Sequence, residues 1–280
     1  MTKFRLRIII GETEKAMNYT LVTGACGGLG GAFVRVLAER GEPLFLTGRS
    51  EERLKSLSEK LKEEFPNLPV QSRACDLTSQ EDREALFGYA DENGITLSRL
   101  VYVAGVDTQK AFEKYTEEKI VFQTRVNFEG ALSLIHASLE RGVLDGSFEV
   151  LLIGSMSGIC PMPYFAIYSA TKKALCQFSV ALHSELKGKA KVTCILPGGI
   201  PTREDIKKDI DGHGFWGRIS AKSPRAVALA SLKAVKKNKK TEVVGFWNKV
   251  IKFFTDLAPL SLQLRFIKKR WSKTEKDAFK

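Results

Sequence analysis

The sequence has few of the residues from which metal sites and disulfide frameworks are built. Its three His lie far apart, at His136, His183 and His213. Its five Cys follow no CxxC or other paired spacing, at Cys26, Cys75, Cys160, Cys176 and Cys194. This distribution argues against a zinc site and a disulfide scaffold, and it is typical of proteins from a reducing cytosol. We therefore predict that the chain holds no metal.

The sequence also lacks long apolar segments. No stretch of 18 apolar residues occurs, so we predict no membrane-spanning helix. The opening "MTKFRLRIII" is basic, but its apolar run is too short for a secretory leader. We expect a cytoplasmic protein. Residues 1–16 are either an N-terminal extension or a mis-assigned start, because Met17 directly precedes the first apolar strand.

Basic residues are concentrated at one end of the chain. Residues 203–280 contain 20 Lys+Arg and 8 Asp+Glu, a net charge of +12, whereas the other 24 basic and 24 acidic residues cancel. No nucleic-acid-binding motif accompanies this charge, so we expect no nucleic-acid partner.

Short apolar segments alternate with helical patterns along most of the chain. The predicted strands are 19–23, 43–47, 70–74, 99–103, 148–153, 191–196 and a short one near 241–245. The predicted helices lie near 28–40, 51–64, 79–92, 116–141, 167–187 and 223–238, and 203–222 is predicted to be irregular. Several strands are apolar on both faces. The pattern predicts one α/β domain over 17–245, with a doubly wound, mainly parallel Rossmann-type sheet and helices on both faces. Ligands bind such sheets at the carboxyl ends of the strands.

A glycine-rich loop joins the first strand to the first helix. In "LVTGACGGLGGAF", Gly24, Gly28 and Gly30 follow the pattern TGxxxGxG. Glycines allow a sharp turn and a close backbone approach to a pyrophosphate, and the helix N-terminus favours anions. The loop therefore predicts dinucleotide binding, with a tight turn of small residues as the alternative.

The second strand indicates which dinucleotide binds. It ends "LFLTGRS", with Gly48 where an NAD site places an acidic residue and with Arg49 next. A guanidinium can bind a 2′-phosphate that a carboxylate would repel. We predict NADP(H), unless Arg49 is only a solvated residue before the next helix.

Two Tyr-Lys pairs share a spacing typical of proton-transfer sites, "YSATK" at 168–172 and "YTEEK" at 115–119. Tyr168 and Lys172 lie one helical turn apart on one face. A neighbouring ammonium should lower the phenol pKa from its ordinary value near 10, so that Tyr168 can exchange a proton with a carbonyl or alcohol. Spacing alone does not choose between the pairs.

The order of several motifs makes the choice, because together they resemble the short-chain dehydrogenase/reductase superfamily over about 17–202. They are "TGACGGLG" (23–30), "CDL" (75–77), "AG" (104–105), "VN" (126–127), "GSMSG" (154–158), "YSATK" (168–172) and "PGGIPT" (197–202). Ser155 precedes Tyr168 by 13 residues, in line with the Ser that the family has about a dozen residues before its tyrosine, and no such Ser precedes Tyr115. Tyr115 is therefore interpreted as a surface residue before a helix that begins with acids.

The resemblance implies a role for each candidate catalytic residue. Ser155 would donate a hydrogen bond to the reacting oxygen. Lys172 would bind the nicotinamide ribose hydroxyls, and Asn127 would hold a water in a proton relay through that lysine. Asn127 could instead satisfy a bend in its helix.

The resemblance also implies a set of cofactor contacts. The residues are Gly24, Cys26, Gly28, Leu29, Gly30, Arg49, Asp76, Leu77, Ala104, Gly105, Tyr168, Lys172, Pro197, Gly198, Ile200 and Thr202. Two departures stand out. Tyr102 and Val103 replace family asparagines, from which we expect altered packing and retained activity. Cys26 replaces a hydroxyl residue and is either inert or an oxidation-sensitive thiol.

Two segments bear on substrate and partners. The stretch "GICPMPYFAI" after Ser155 and a lid at about 203–220, with Phe215 and Trp216, suit an apolar carbonyl or alcohol. The tail 246–280 combines aromatics, leucines and Lys/Arg and is typical of an interfacial amphipathic segment that high salt would release. It could instead dock on the domain or form a dimer contact.

The sequence thus predicts an NADP(H)-dependent carbonyl reductase or alcohol dehydrogenase, forming a homo-oligomer and contacting an anionic membrane peripherally through its tail. The alternatives are a non-catalytic NADP-binding sensor or scaffold and a membrane-surface interaction protein on the same fold.

Overall fold

A computed structural model describes residues 17–202, 204–212, 218–271 and 276–277. The predicted N-terminal extension, 1–16, and the predicted lid residues Phe215 and Trp216 lie outside these ranges.

The core of the fold is a seven-stranded parallel sheet. Its strands are β1 (Asn18–Thr23), β2 (Leu44–Gly48), β3 (Val70–Ala74), β4 (Thr96–Tyr102), β6 (Phe148–Ile153), β7 (Ala190–Leu196) and β8 (Thr241–Val243). Their order across the sheet is β3-β2-β1-β4-β6-β7-β8. A separate antiparallel pair is formed by β5 (Thr108–Gln109) and β9 (Lys276–Asp277). The order reverses between β1 and β4, which opens a crevice at the carboxyl ends of these strands.

Helices cover both faces of the sheet. They are α1 (Gly28–Ala38), α2 (Glu51–Glu64), α3 (Gln80–Glu92), α4 (Glu117–Thr124), α5 (Gly130–Arg141), α6 (Ala166–Glu185), α7 (Glu204–Gly212), α8 (Pro224–Lys236), α9 (Phe246–Leu257) and α10 (Leu260–Trp271). Serine side chains cap several of them: Ser50, Ser79 and Ser223 each accept a hydrogen bond from the amide three residues on.

Successive side chains of each strand enter two different hydrophobic cores. Val22 packs into the core formed with α1, α2 and α8, whereas Leu21 packs into the core formed with α3, α5 and α6. This alternation explains why strands apolar on both faces predict a sheet between two helical layers. The predicted fold class is confirmed.

Two local predictions differ from the structure. The stretch 203–222 was predicted to be irregular, but α7 lies within it, because its apolar residues recur at helical spacing. The predicted single helix over 116–141 contains a π-helical turn at Arg125–Glu129. Here the buried Tyr102 hydroxyl donates a 2.6 Å hydrogen bond to the Val126 carbonyl oxygen.

The helix α9 presents its apolar face to solvent. Among its residues, all of which the structure describes, Asn248 is the buried one. The Asn248 amide donates to the carbonyl oxygens of Ser220 and Val244 at 2.9 and 2.7 Å. Phe253 and Phe254 are 60% and 64% exposed. A surface helix normally buries its apolar face, so the amphipathicity of α9 is inverted.

Candidate active site

The glycine loop between β1 and α1 lies at the crevice. Gly24 has a φ of +62°, a conformation that side chains other than glycine rarely adopt. A Cβ on Gly30 would collide with the Gly24 carbonyl oxygen, and one on Gly28 would lie 2.6 Å from the Thr202 Cβ. Gly27 precedes α1 and has no side chain with which to cap it. The amides of the first turn are thus available to an anion, and the loop fits a dinucleotide pyrophosphate.

Two arginines follow β2 on the same side of the sheet. Arg49 is exposed, and its guanidinium lies 5.5 Å from the centroid of the Phe122 ring. Arg53 donates a 2.7 Å hydrogen bond to the Cys26 carbonyl oxygen in the glycine loop. Sequence reasoning missed Arg53, although a basic residue in the first turn of the helix after β2 was a usable signal.

The Cys26 side chain is partly buried against the core. Desolvation raises the pKa of the Cys26 thiol, and the positive charge of Arg53 only partly offsets this. A raised pKa disfavours the reactive thiolate, so the structure favours the inert interpretation of Cys26.

The segment after β3 is held by its own side chains. Asp76 accepts hydrogen bonds from the backbone amide and the hydroxyl of Thr78, at 2.9 and 2.8 Å. Leu77 is buried, and its carbonyl oxygen accepts a 2.6 Å hydrogen bond from Arg83. These contacts give the predicted adenine-side residues a defined turn.

The predicted serine and tyrosine lie together beyond the end of β6. The Ser155 side chain lies close enough to the Tyr168 hydroxyl to act on its pKa. The Ser155 oxygen also accepts a 3.0 Å hydrogen bond from the Ser157 amide. Accepting this bond uses a lone pair of the Ser155 oxygen, so the hydroxyl hydrogen is still available to donate.

The predicted lowering of the Tyr168 pKa is wrong for the protein by itself. Desolvation raises the pKa of Tyr168, the Asp107 carboxylate raises it further, and the interaction with Ser155 only partly counteracts them. Lys172 is itself buried, and burial lowers its pKa to about 8. At neutral pH most of this amine is still an ammonium, but its charge does not outweigh the desolvation of the phenol.

Lys172 is fixed at the base of the site. Its ammonium donates a 2.7 Å hydrogen bond to the Ile153 carbonyl oxygen and lies 5.7 Å from the centroid of the Tyr168 ring. A Cβ on Gly105 would lie 3.0 Å from the Lys172 Nζ. Glycine at 105 therefore allows the loop after β4 to lie directly on the lysine.

Asn127 occupies the π-helical turn and is fully buried. Its side-chain oxygen accepts from the Val106 amide at 2.8 Å, and its nitrogen donates to the Val106 carbonyl oxygen at 2.9 Å and to the Thr171 hydroxyl at 3.2 Å. Thr171 in turn donates to the Tyr168 carbonyl oxygen at 3.0 Å. One acceptor position of Asn127 is left. Thr171 was not predicted, although it lies inside the "YSATK" motif.

The loop after β4 carries the predicted Ala104 and Gly105. The Thr23 hydroxyl oxygen at the end of β1 accepts hydrogen bonds from the backbone amides of Val103 and Ala104, at 3.0 and 3.1 Å. The two residues that depart from the family pattern are thus both hydrogen-bonded: Val103 through its amide to Thr23, and Tyr102 through its hydroxyl to the π-helical turn.

The loop after β7 closes the site from above. The Pro197 carbonyl oxygen accepts a 2.9 Å hydrogen bond from the Met156 amide, and Thr202 approaches Gly28. Gly198 packs against Asn248, and Ile200 packs against the core that contains α1. The loop therefore spans from Ser155 to the glycine loop.

The Tyr115 side chain contacts β5, in the loop that follows β4. The residue precedes α4, whose N-cap is Thr116 and whose first turn contains Glu117 and Glu118, as predicted. Tyr115 is half-buried, not a surface residue, because its hydroxyl donates a 2.7 Å hydrogen bond to the Thr108 carbonyl oxygen. It braces β5.

Within the described ranges, no three His, Cys, Asp or Glu side chains converge in a way that could hold a metal ion. Nor does any helix in the same ranges combine the length and hydrophobicity needed to traverse a bilayer.

Comparison with known proteins identifies relatives of the whole domain. A family model described as short chain dehydrogenase matches residues 18–211. An uncharacterized oxidoreductase of Staphylococcus saprophyticus is 29% identical over 216 residues, which are 77% of this chain and 89% of the relative.

Solved structures share the fold. A short-chain dehydrogenase from Sphingobium yanoikuyae in complex with NADPH is 25% identical, has a TM-score of 0.72, and is matched over 86% of this chain and 94% of its own. A structure described as a 7beta-hydroxysteroid dehydrogenase has a TM-score of 0.77 at 22% identity, over 89% and 96% of the two chains.

Burial of Lys172 predicts a pH-dependent stability. The Lys172 pKa is about 8 in the native state against 10.5 ordinarily, so unfolding takes up a proton between these values. Raising the pH from 8 to 10 should therefore raise the free energy of unfolding of the wild type by about 2 kcal/mol relative to Lys172→Met. Urea unfolding at both pH values measures this. Lys173, the exposed neighbour of Lys172, supplies the control. The free energy of unfolding of Lys173→Met should change with pH as that of the wild type does. Parallel wild-type and Lys172→Met profiles would contradict the assignment.

Proposed function

We propose a specific reaction for this chain, which belongs to the short-chain dehydrogenase family of oxidoreductases. The reaction is hydride transfer between NADP(H) and a carbonyl or secondary alcohol of an apolar substrate. The observation that carries the proposal is the convergence of Ser155, Tyr168 and Lys172 at the end of β6, beside the glycine loop.

Each residue of this cluster has one chemical task. In reduction, the Tyr168 hydroxyl protonates the carbonyl oxygen while the Ser155 hydroxyl donates a hydrogen bond to it. The raised pKa of Tyr168 keeps the phenol protonated at neutral pH, which suits this direction. When bound, the nicotinamide supplies or accepts the hydride.

The lysine and the asparagine support the tyrosine. We assign Lys172 to bind the ribose hydroxyls and to return a proton towards Tyr168. Asn127 fixes the Val106 backbone and Thr171 on either side of Lys172, and its remaining acceptor position is the one that would receive a relay water.

Cofactor preference rests on the end of β2. Gly48 leaves no acidic group there to repel a 2′-phosphate, and the exposed guanidinium of Arg49 is the group we assign to bind it. Arg53 adds a second positive charge beside the glycine loop. A structural relative in complex with NADPH supports the same choice.

The tail carries a second proposal, because the apolar face of α9 points outwards. We propose that α9 and α10 lie on an anionic membrane surface, with Phe246, Phe253 and Phe254 inserted and with Lys249 and Lys252 near the headgroups. The inverted orientation argues against a helix docked through its apolar side. Homo-oligomer formation and a cytoplasmic location stay predictions.

Tyr168→Phe should lower kcat for NADPH-dependent ketone reduction at least about a hundredfold, because the proton donor is removed. The NADPH dissociation constant, measured by the fluorescence of the bound cofactor, should stay within about twofold. Tyr115→Phe, in the motif of equal spacing, is the matched control and should keep most of the activity. Full activity of Tyr168→Phe would refute the mechanism. NADPH binding by the wild type without turnover of any ketone would favour a sensor or scaffold.

Arg49→Ala should raise the NADPH dissociation constant about tenfold to a hundredfold, because a charged hydrogen bond to the 2′-phosphate is lost. NADH binding should change by less than about twofold. Arg40, which precedes β2 and so lies near the amino ends of the strands, provides the control variant Arg40→Ala. Equal losses of NADPH and NADH would show that Arg49 does not read the phosphate.

Flotation with lipid vesicles tests the tail. The full chain should bind vesicles containing phosphatidylglycerol, more weakly at 0.5 M than at about 0.05 M salt. The double change Phe253→Ser and Phe254→Ser should weaken binding roughly tenfold or more, since two rings that would insert into the membrane are lost. Phe112→Ser removes an exposed ring outside the tail and should have no effect. Equal binding by all three proteins would rule out this face.

A further inference from the structure

The C-terminal segment returns to the mouth of the candidate active site. After α10 the chain reaches β9, which pairs with β5 through Thr108 opposite Asp277 and Gln109 opposite Lys276. The strand β5 begins two residues after Val106, which Asn127 holds. The end of the chain is therefore attached to the same loop that lies on Lys172.

A second contact reaches the site from α10. Trp271, the last residue of α10, packs edge-on against Phe165 with ring centroids 5.2 Å apart. Phe165 in turn lies 5.8 Å from the Tyr168 ring. Only one aromatic ring thus separates the C-terminal helix from the proposed proton donor.

The loop between these two contacts is itself constrained. Tyr164, which precedes Phe165, has a φ of +67°, which is uncommon for a residue with a side chain. Its carbonyl oxygen accepts a 2.9 Å hydrogen bond from the Lys110 amide, next to β5. Such strain persists only where surrounding contacts enforce it, and it is common at ligand-binding sites.

We infer that the C-terminal segment is the outer wall of this chain's own substrate cleft and that Trp271 is a specificity-determining residue. The inference rests on the proposed function, because it places the substrate beside Tyr168. The Trp271 and Phe165 rings meet at a steep interplanar angle of 77°. They form an apolar corner that suits a rigid ring or branched apolar group attached to the reacting carbonyl.

The wall explains why the tail has two different sides. The Asn248 side of α9 and the Trp271 end of α10 contact the domain, whereas Phe253 and Phe254 stay exposed. The segment can therefore shape the cleft with one side and remain open to a surface with the other. A role for Trp271 does not depend on membrane binding.

Two ketones of different size test the assignment in buffer without vesicles. Trp271→Ala should raise KM for 4-phenylcyclohexanone about five- to tenfold, because one aromatic contact is lost. KM for cyclohexanone, the NADPH dissociation constant and kcat should change by less than about twofold. Trp271→Phe should restore most of the preference, and Trp247→Ala, an exposed Trp on α9, should leave it unchanged.

Calorimetric binding of 4-phenylcyclohexanone to the NADP+-loaded protein separates this proposal from the proposed function. If the wild type reduces neither ketone, the proposed function fails, and the loss of affinity in Trp271→Ala still decides the role of the wall. The inference would be overturned if Trp271→Ala left the ratio of the KM values for the two ketones unchanged. It would also be overturned if Trp247→Ala changed that ratio equally. A general loss of NADPH binding in Trp271→Ala would overturn it too, since that indicates a merely structural residue.

Discussion

The site depends on the burial of one amine. Lys172 is 3% exposed and donates to the Ile153 carbonyl oxygen, and the chain around it is shaped to permit this. Gly105 lets the loop after β4 lie on the Nζ, because a Cβ there would be only 3.0 Å away. The cost of burying the ammonium appears as a pKa of about 8. The same enclosure raises the pKa of Tyr168, so the pair is poised with the phenol protonated.

The π-helical turn at Arg125–Glu129 connects this amine to the sheet. Its extra residue is accommodated by the Tyr102 hydroxyl, and it carries Asn127 between the Val106 backbone and the Thr171 hydroxyl. Three elements distant in sequence are thereby held in register by a handful of buried hydrogen bonds. Networks of this kind are rigid because leaving one member unpaired is costly.

The tail links the site to the surface of the molecule. The apolar face of α9 is exposed to solvent. Large exposed apolar patches mark interaction surfaces, so this face is a candidate for contact with a membrane or partner. In the same segment, Trp271 contacts Phe165, just before Tyr168, and β9 pairs with β5 in the loop after β4. Both the Trp271 contact and the exposed face of α9 are apolar.

Periodicity determined the sheet and the helical layers, and the TGxxxGxG spacing determined the glycine loop, because these signals are local. Motif order selected Ser155, Tyr168 and Lys172 as the candidate site and preferred Tyr168 to Tyr115, and the catalytic roles of these residues stay predictions. Tertiary structure alone decided the sign of the Tyr168 pKa shift, since desolvation and the Asp107 carboxylate arise from parts of the chain that no spacing connects. It also decided that Asn127 bonds to Val106 and Thr171, that α9 turns its apolar face outwards, and that Trp271 meets Phe165. Those outcomes depend on which surfaces meet when the elements pack, which a one-dimensional pattern does not specify.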